Sequence, residues 1–353
     1  MTYAGSHRHC RALSVTTFVH RWHIDGTPHP VCITSRIHTL GFELRLAKTF
    51  SAIFQKLVGV AMGTLEMGCI AAALIGIVQM AAGFCGWAVK SKRDPKALQK
   101  LVPDVRSVLC VVLLGFFAGI FGTVLSIYTF TLGADMGVRT LLISSSIVPG
   151  SILAAIIWPK TDSLGARQVA GISVFLIAMW AMLGFPSLAS IATLDTWVWL
   201  VLLLALVASF TELLSRSMAL KFDAWSNNFW IGGSTAFFSL CTLVVLGVWQ
   251  GGVSLNLSSV FLQGIIAIGF IVVAMAAFKI WTYQGGGTIA LKKIIMPGTY
   301  LVTSIFAGAA IYGEPLTAGK MVGVALWFCS IYLADPKAAS DLQTVFSRPA
   351  PQA

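Results

Sequence analysis

In the stretch "TIALKKIIMPGTYLVTSIFAGAAI" (288–311), two adjacent lysines, Lys292 and Lys293, stand just ahead of Pro297 in an otherwise apolar run. An ammonium group in such a run either snorkels to a membrane interface or faces an interior cavity and pairs with an anion. The proline favours the second role, because it removes a helical hydrogen bond, and such breaks accompany binding sites in spanning helices. Ser144 and Ser145 hold the same relation to Pro149 in "SSSIVPG". Lys292, Lys293, Ser144, Ser145 and Tyr300 are therefore the expected ligand contacts, with Pro149 and Pro297 as helix bends. Glu212 and Arg216, four apart, read as a surface ion pair, although a carboxylate inside a membrane is also a candidate carrier of a coupling ion. Arg139 reads as an outer gate or an interfacial charge. Gln79, Asn227 and Asn228 are either cavity liners or hydrogen-bonding groups between helices.

The elements that must position these groups follow from composition. The chain has 353 residues, is 57% hydrophobic and only 10% charged, and has a mean hydropathy of +0.85. Soluble domains carry about 25% charged residues. Nine apolar runs, near 65–89, 106–130, 134–158, 168–185, 197–218, 226–249, 259–281, 288–311 and 317–334, approach or exceed the length of about 20 residues that a spanning helix needs. Barrel strands would be shorter and would alternate, so the predicted class is all-α, a polytopic membrane protein of nine to ten transmembrane helices. Small residues four apart in "AGFCG" (82–86), "GFFAG" (115–119) and "GKMVG" (319–323) predict close helix contacts.

The formal net charge of +11 describes membrane orientation rather than nucleic-acid binding. The link "VKSKRDPKALQKLVPDVR" (89–106) is strongly basic and so cytoplasmic by the positive-inside rule. Alternation puts Lys160, Arg167, Arg216, Lys221, Lys279 and Lys337 on the same side. The opposite links, near 131–137, 186–196, 250–258 and 312–316, carry no Lys or Arg. The C-terminus is then cytoplasmic, and the expected location is a bacterial inner membrane.

The first 60 residues differ. All six histidines fall within the first 38 residues, in a basic, Ser- and Thr-rich context with no paired ligand spacing, so no metal and no cofactor are expected. A transit peptide, which would move the protein to an organelle membrane, a cytoplasmic tail, and a true start at Met62 or Met67 are all open. The stretch 37–60 is a weak or degraded first span, because Glu43, Arg45, Lys48 and Lys56 would each cost roughly 2.5–3.5 kcal/mol if central.

The segment around Pro149 and the segment around Pro297 repeat. "PG" at 149–150 aligns with "PG" at 297–298, and "DSLGARQVAG" (162–171) aligns with "EPLTAGKMVG" (314–323). Residues 61–185 and 197–335 are thus two repeats of nominally five helices each, followed by a tail, 336–353. An odd number of spans per repeat inverts one against the other, the construction of secondary transporters. In the turn "IYGEPLTAGKMVG", Glu314 is expected at a membrane surface, complementing the N-terminus of the last helix, with Pro315 in that helix's first turn.

On the "GEPLT…GxxxG" turn, the proline-bearing helix before it and the repeat, the chain resembles the drug/metabolite transporter superfamily, in particular its EamA-type members. The resemblance implies ten helices, alternating access, and export or exchange of small polar metabolites. The Lys292–Lys293 pair is similar to the basic pair of sugar-phosphate and nucleotide-sugar relatives, which extends the expected substrates to an organic anion or a phosphorylated compound. A lipid-linked sugar flippase or a non-transporting membrane partner is the alternative on this fold. An intramembrane enzyme is disfavoured, since the spans hold no histidine and few carboxylates. The expected partners are a small-molecule substrate and the bilayer, with no nucleic acid. A homodimer is compatible with the sequence.

Overall fold

The computed structural model describes residues 47–61, 63–93, 104–159, 164–187, 190, 193–219, 221–250, 257–284 and 289–334. Their regular structure is entirely helical. The segment 47–61 is α1, followed by α2 (Leu65–Arg93), α3 (Val105–Thr131), α4 (Met136–Ile157) and α5 (Ala166–Met182). Then come α6 (Thr196–Ala219), α7 (Ala224–Gln250), α8 (Ser259–Gln284), α9 (Ile289–Tyr312) and α10 (Ala318–Ala334). Every apolar run of the sequence is a helix. Six of them, α2, α3, α4, α6, α7 and α8, are long and apolar enough to cross a membrane, so the chain is an integral membrane protein.

Two helix pairs make the most extensive contacts, α2 with α7 and α5 with α10. Glycines allow both approaches. A Cβ on Gly76 of α2 would lie 2.7 Å from the Ala236 nitrogen and the Gly232 carbonyl oxygen of α7, and one on Gly319 of α10 would lie 2.6 Å from the Ala181 carbonyl oxygen of α5. Gly115 and Gly119 similarly admit α7 against α3, where the Ser234 hydroxyl donates to the Val112 carbonyl at 2.7 Å and the Thr235 hydroxyl to that of Gly115 at 3.0 Å. The small-residue motifs thus mark where backbones meet.

Two helices depart from regular α geometry. In α3, residues Phe117–Leu125 form a π-helical segment, in which the Thr123 hydroxyl donates to the Ala118 carbonyl at 3.1 Å. In α4, the helix is interrupted after Ser144 and resumes at Ile147, directly ahead of Pro149, which has no N–H to give the Ser145 carbonyl; that carbonyl accepts the Val148 N–H at 2.9 Å instead. Backbone α-helix continues through Pro297.

Within the stretch read as a weak first span, residues 47–61 form α1, which packs into the bundle, and Glu43 and Arg45 lie outside the described residues. Val58 and Ala52 are buried, the former with Met67, Ile75, Ile127, Phe261 and Ile265, the latter with Phe130 and Met136. Polar contacts tie it to neighbours as well: Thr49 to Thr303 at 2.6 Å, the Tyr312 hydroxyl to the Ile53 carbonyl at 2.7 Å, and the Thr131 hydroxyl to the Gly59 carbonyl at 2.8 Å. Of its described charges, Lys56 pairs with Glu314 and Lys48 lies over the Tyr300 ring.

Candidate functional site

A cavity of about 270 Å³ lies among α1, α2, α3, α6, α7 and α8. Its walls mix apolar side chains such as Ile75, Leu114 and Val272 with Gln79, Thr123, Thr211, Ser215, Asn227 and Thr235. Three charged side chains reach it: Lys48 from α1, Glu212 from α6 and Lys279 from α8. Two lining residues, Ala118 and Thr123, belong to the π-helical segment of α3, a geometry that recurs at functional sites.

The charges are arranged unequally. Glu212 is held from two sides, by the Lys279 ammonium at 3.2 Å and by the Tyr283 hydroxyl, which donates to its other oxygen. Lys48 lies over the Tyr300 ring, 5.9 Å from its centroid, and among the described residues no carboxylate is within ion-pair distance of it. The neighbouring amides also differ. Asn228 accepts from the Gln79 amide at 2.9 Å and donates to the Ala224 and Val273 carbonyls at 3.1 and 3.3 Å. Asn227, only 2% exposed, keeps its carboxamide oxygen without a hydrogen-bond partner in the cavity wall.

Several residues singled out in the sequence fall elsewhere. The Ser144 hydroxyl donates to the Thr140 carbonyl of its own helix at 2.8 Å, and neither Ser144 nor Ser145 lines the cavity. The backbone of Lys292 and Lys293 is in the first turns of α9, and their side chains, with that of Pro297, lie outside the described residues. Tyr300 reaches the site through its ring contact with Lys48. Arg139 is 1% exposed, enclosed by its neighbours in the bundle. Its guanidinium donates to the Thr129 hydroxyl at 2.8 Å, to the Ser126 hydroxyl, to the Ser126 carbonyl at 3.0 Å and to the Gln55 amide oxygen at 3.5 Å, and it stacks 4.2 Å from the Phe130 centroid. It ties α4 to α1 and α3. Arg216 lies over Trp158, 4.5 Å from its ring centroid.

A second polar cluster closes the end of the bundle where α9 turns into α10. Gly313, at φ +67°, ends α9 and reverses the chain, bringing the Glu314 N–H to the Gly308 carbonyl at 3.1 Å. The Glu314 carboxylate then points back into the protein. It pairs with Lys56 of α1, accepts the Met136 N–H at the start of α4 at 2.8 Å, and stands 4.0 Å from Lys320 of α10. Lys320 in turn pairs with Asp135, the residue that caps α4 by accepting from the Gly137 and Val138 N–H groups. The expected role of Glu314 is corrected in one respect: it complements the N-terminus of α4, not α10, and Pro315 precedes α10 rather than opening it. The reason is the reversal at Gly313, which no charge pattern reports.

The opposite end is held more loosely. Lys90 of α2 pairs with Asp223 ahead of α7 at 2.6 Å, with 41% and 18% of their side chains exposed. Beside it, Asp104 precedes α3, and the Ser107 hydroxyl, donating to it at 2.6 Å, holds its carboxyl below the usual carboxylate value. Among the described residues no three His, Cys, Asp or Glu side chains come together as a metal site.

Sequence reasoning missed Lys48 and Lys279 as cavity residues. Lys48 was counted as a cost to insertion and Lys279 as a topology signal. The signal that finds them is the rule that an ionisable group inside a span faces an interior partner or a cavity.

No protein-family model and no curated protein matches the chain. Among solved structures, one titled only "Crystal structure of protein" is similar over 86% of this chain and 98% of its own, with a TM-score of 0.59 and 17% identity. That likeness is one of fold.

Proposed function

We propose that this protein is a secondary transporter that moves a small polar metabolite by alternating access. It is built from ten spanning helices in two inverted repeats of five, α1–α5 and α6–α10. One observation carries the reading: a polar, charged cavity lies inside an apolar bundle, and one end of that bundle is sealed by a buried ion-pair network. A polar cavity surrounded by hydrocarbon is costly unless water or a solute occupies it.

The helix contacts support the repeat. Advancing every helix by five converts the α2–α8 contact into α7–α3, and the α1–α8 contact of Val58 with Phe261 and Ile265 into α6–α3. It maps the pairs α2–α7, α5–α10 and α4–α9 onto themselves, and all three are close. The cavity is lined by the first three helices of each repeat, as a substrate site on the axis between repeats would be. The excess of Lys and Arg in the link after α2 assigns the Asp223 end to the cytoplasm. The Glu314 cluster then closes the outer end, and the substrate site opens inward. The "GEPLT" turn and this architecture keep the drug/metabolite transporter superfamily as the proposed kinship.

Purified protein in proteoliposomes, challenged with phosphorylated sugars, hydroxy acids, amino acids and cationic drugs, tests the reading. Saturable uptake of one class above empty liposomes is expected. Uptake indistinguishable from empty liposomes for every class contradicts it.

A further inference from the structure

We infer that the cavity takes a small hydroxylated organic monoanion, with Lys48 as the anchor for its negative charge. This rests on the transporter reading and deepens it by naming the substrate class. Among the described lining residues the ionisable side chains are Lys48, Glu212 and Lys279. Among these described side chains the carboxylate is directly engaged by Lys279 and Tyr283, while Lys48 lies over the Tyr300 ring with no described carboxylate at ion-pair distance, which makes Lys48 the group placed to receive a ligand's negative charge.

An ammonium facing a cavity inside an apolar bundle is less well solvated than one in bulk water, and a single negative charge on a solute stabilises it. A neutral solute leaves it uncompensated. A dianion overcompensates, and a cation adds repulsion, costs that the low-dielectric walls enlarge. A second, independent observation concerns the rest of the ligand. The Thr123, Thr211 and Thr235 hydroxyls of the wall give their own protons to the Ala118, Ala208 and Gly115 carbonyls, so toward the cavity they act as acceptors, and a solute hydroxyl supplies donors without changing its charge. The hydroxyls of Thr123, Thr211 and Thr235 and the apolar patch of Ile75 and Val272 suit a short polyol or hydroxy-acid body.

The test uses the full chain in detergent and in proteoliposomes, with solutes on similar frames but different charges: glycerate and gluconate as monoanions, glucose as neutral, glycerol 3-phosphate as dianion, and glucosamine as cation. A monoanion should bind at least tenfold more tightly than glucose or glucosamine, read by thermal shift and by radioligand binding. Lys48→Met should weaken that binding at least tenfold, and Lys48→Arg should retain most of it. Lys48→Gln serves as the second neutral variant if Lys48→Met is not monodisperse. Glu212→Gln raises the cavity charge by one, so the preference should move toward glycerol 3-phosphate. Binding of no monoanion, or monoanion binding unchanged in both neutral variants, overturns the assignment. The two claims separate cleanly: saturable glucose or glucosamine transport without monoanion binding overturns the anion site and leaves the transporter standing. Lys48-dependent monoanion binding with no movement across the liposome membrane supports the site and overturns the transporter.

Discussion

Lys56 of α1 and Glu314 of the turn between α9 and α10 form a buried ion pair, with 13% and 9% of their side chains exposed, across 258 positions of sequence. The pair joins α1 to the turn between α9 and α10, and its carboxylate caps α4 through the Met136 N–H. Removing one member leaves the other charge without its main partner, at a cost of about 3–5 kcal/mol for a fully buried pair. Lys56→Met and Glu314→Gln should each lower thermal stability in detergent, and the double variant should be less destabilised than the two losses added. Additive losses in this cycle would mean that the two residues do not interact.

Gly308 faces the same carboxylate. A Cβ there would lie 2.3 Å from Glu314 Oε2, and Lys56 and the Met136 N–H prevent that carboxylate from moving away. Gly308→Ala should therefore reproduce much of the Glu314→Gln defect in a thermal melt. It should add little to a protein that already carries Glu314→Ala.

At Gly232, the obstacle is backbone. An added Cβ would lie 2.4 Å from the Met80 nitrogen of α2, and no side-chain rotation relieves that contact. Gly232→Val should cost at least about 1–3 kcal/mol, the range for overpacking, and abolish the monodisperse peak on size exclusion. Gly165, ahead of α5, has no atom within 4 Å of such a Cβ, and Gly165→Ala should leave the peak unchanged.

Much of the helical layout was legible because hydrocarbon imposes it. Every apolar run became a helix within a few residues, and the "GFFAG", "AGFCG" and "GKMVG" patterns mark real close approaches, as Gly115, Gly83 and Gly323 show. The site was harder to read. Lys48 and Lys56 count against insertion of α1, and a single sequence gives the cost of such a charge but not the groups it will meet. Those groups, Glu314 for Lys56 and the cavity for Lys48, are remote in the chain. Likewise the four-residue spacing of Glu212 and Arg216 pointed along α6, while Lys279 and Tyr283 approach Glu212 from α8.

The role of α1 gives a further prediction. A chain beginning at Met62 lacks Lys48, Thr49, Gln55, Lys56 and Val58, and so loses a cavity wall, a partner of Arg139 and the ion pair with Glu314. It should fail to yield a monodisperse protein or to transport. Full stability and uptake from that start would show α1 to be dispensable.

Buried Arg139 should act through structure. Arg139→Met leaves the Ser126 and Thr129 groups without their shared donor, so it should lower the melting temperature, and Arg139→Lys should recover part of the loss. Residual folded protein should still bind solute with near-normal affinity, because Arg139 does not line the cavity.

Alternating access requires the Glu314 end to open and close during each cycle. The most direct test places cysteines at Lys56 and Glu314 in a background without other thiols and joins them with a reducible bifunctional thiol reagent in proteoliposomes. Cross-linking should arrest uptake of the transported solute, and reduction should restore it to the level of the same double-cysteine protein before treatment. Unchanged uptake after complete cross-linking would contradict the account.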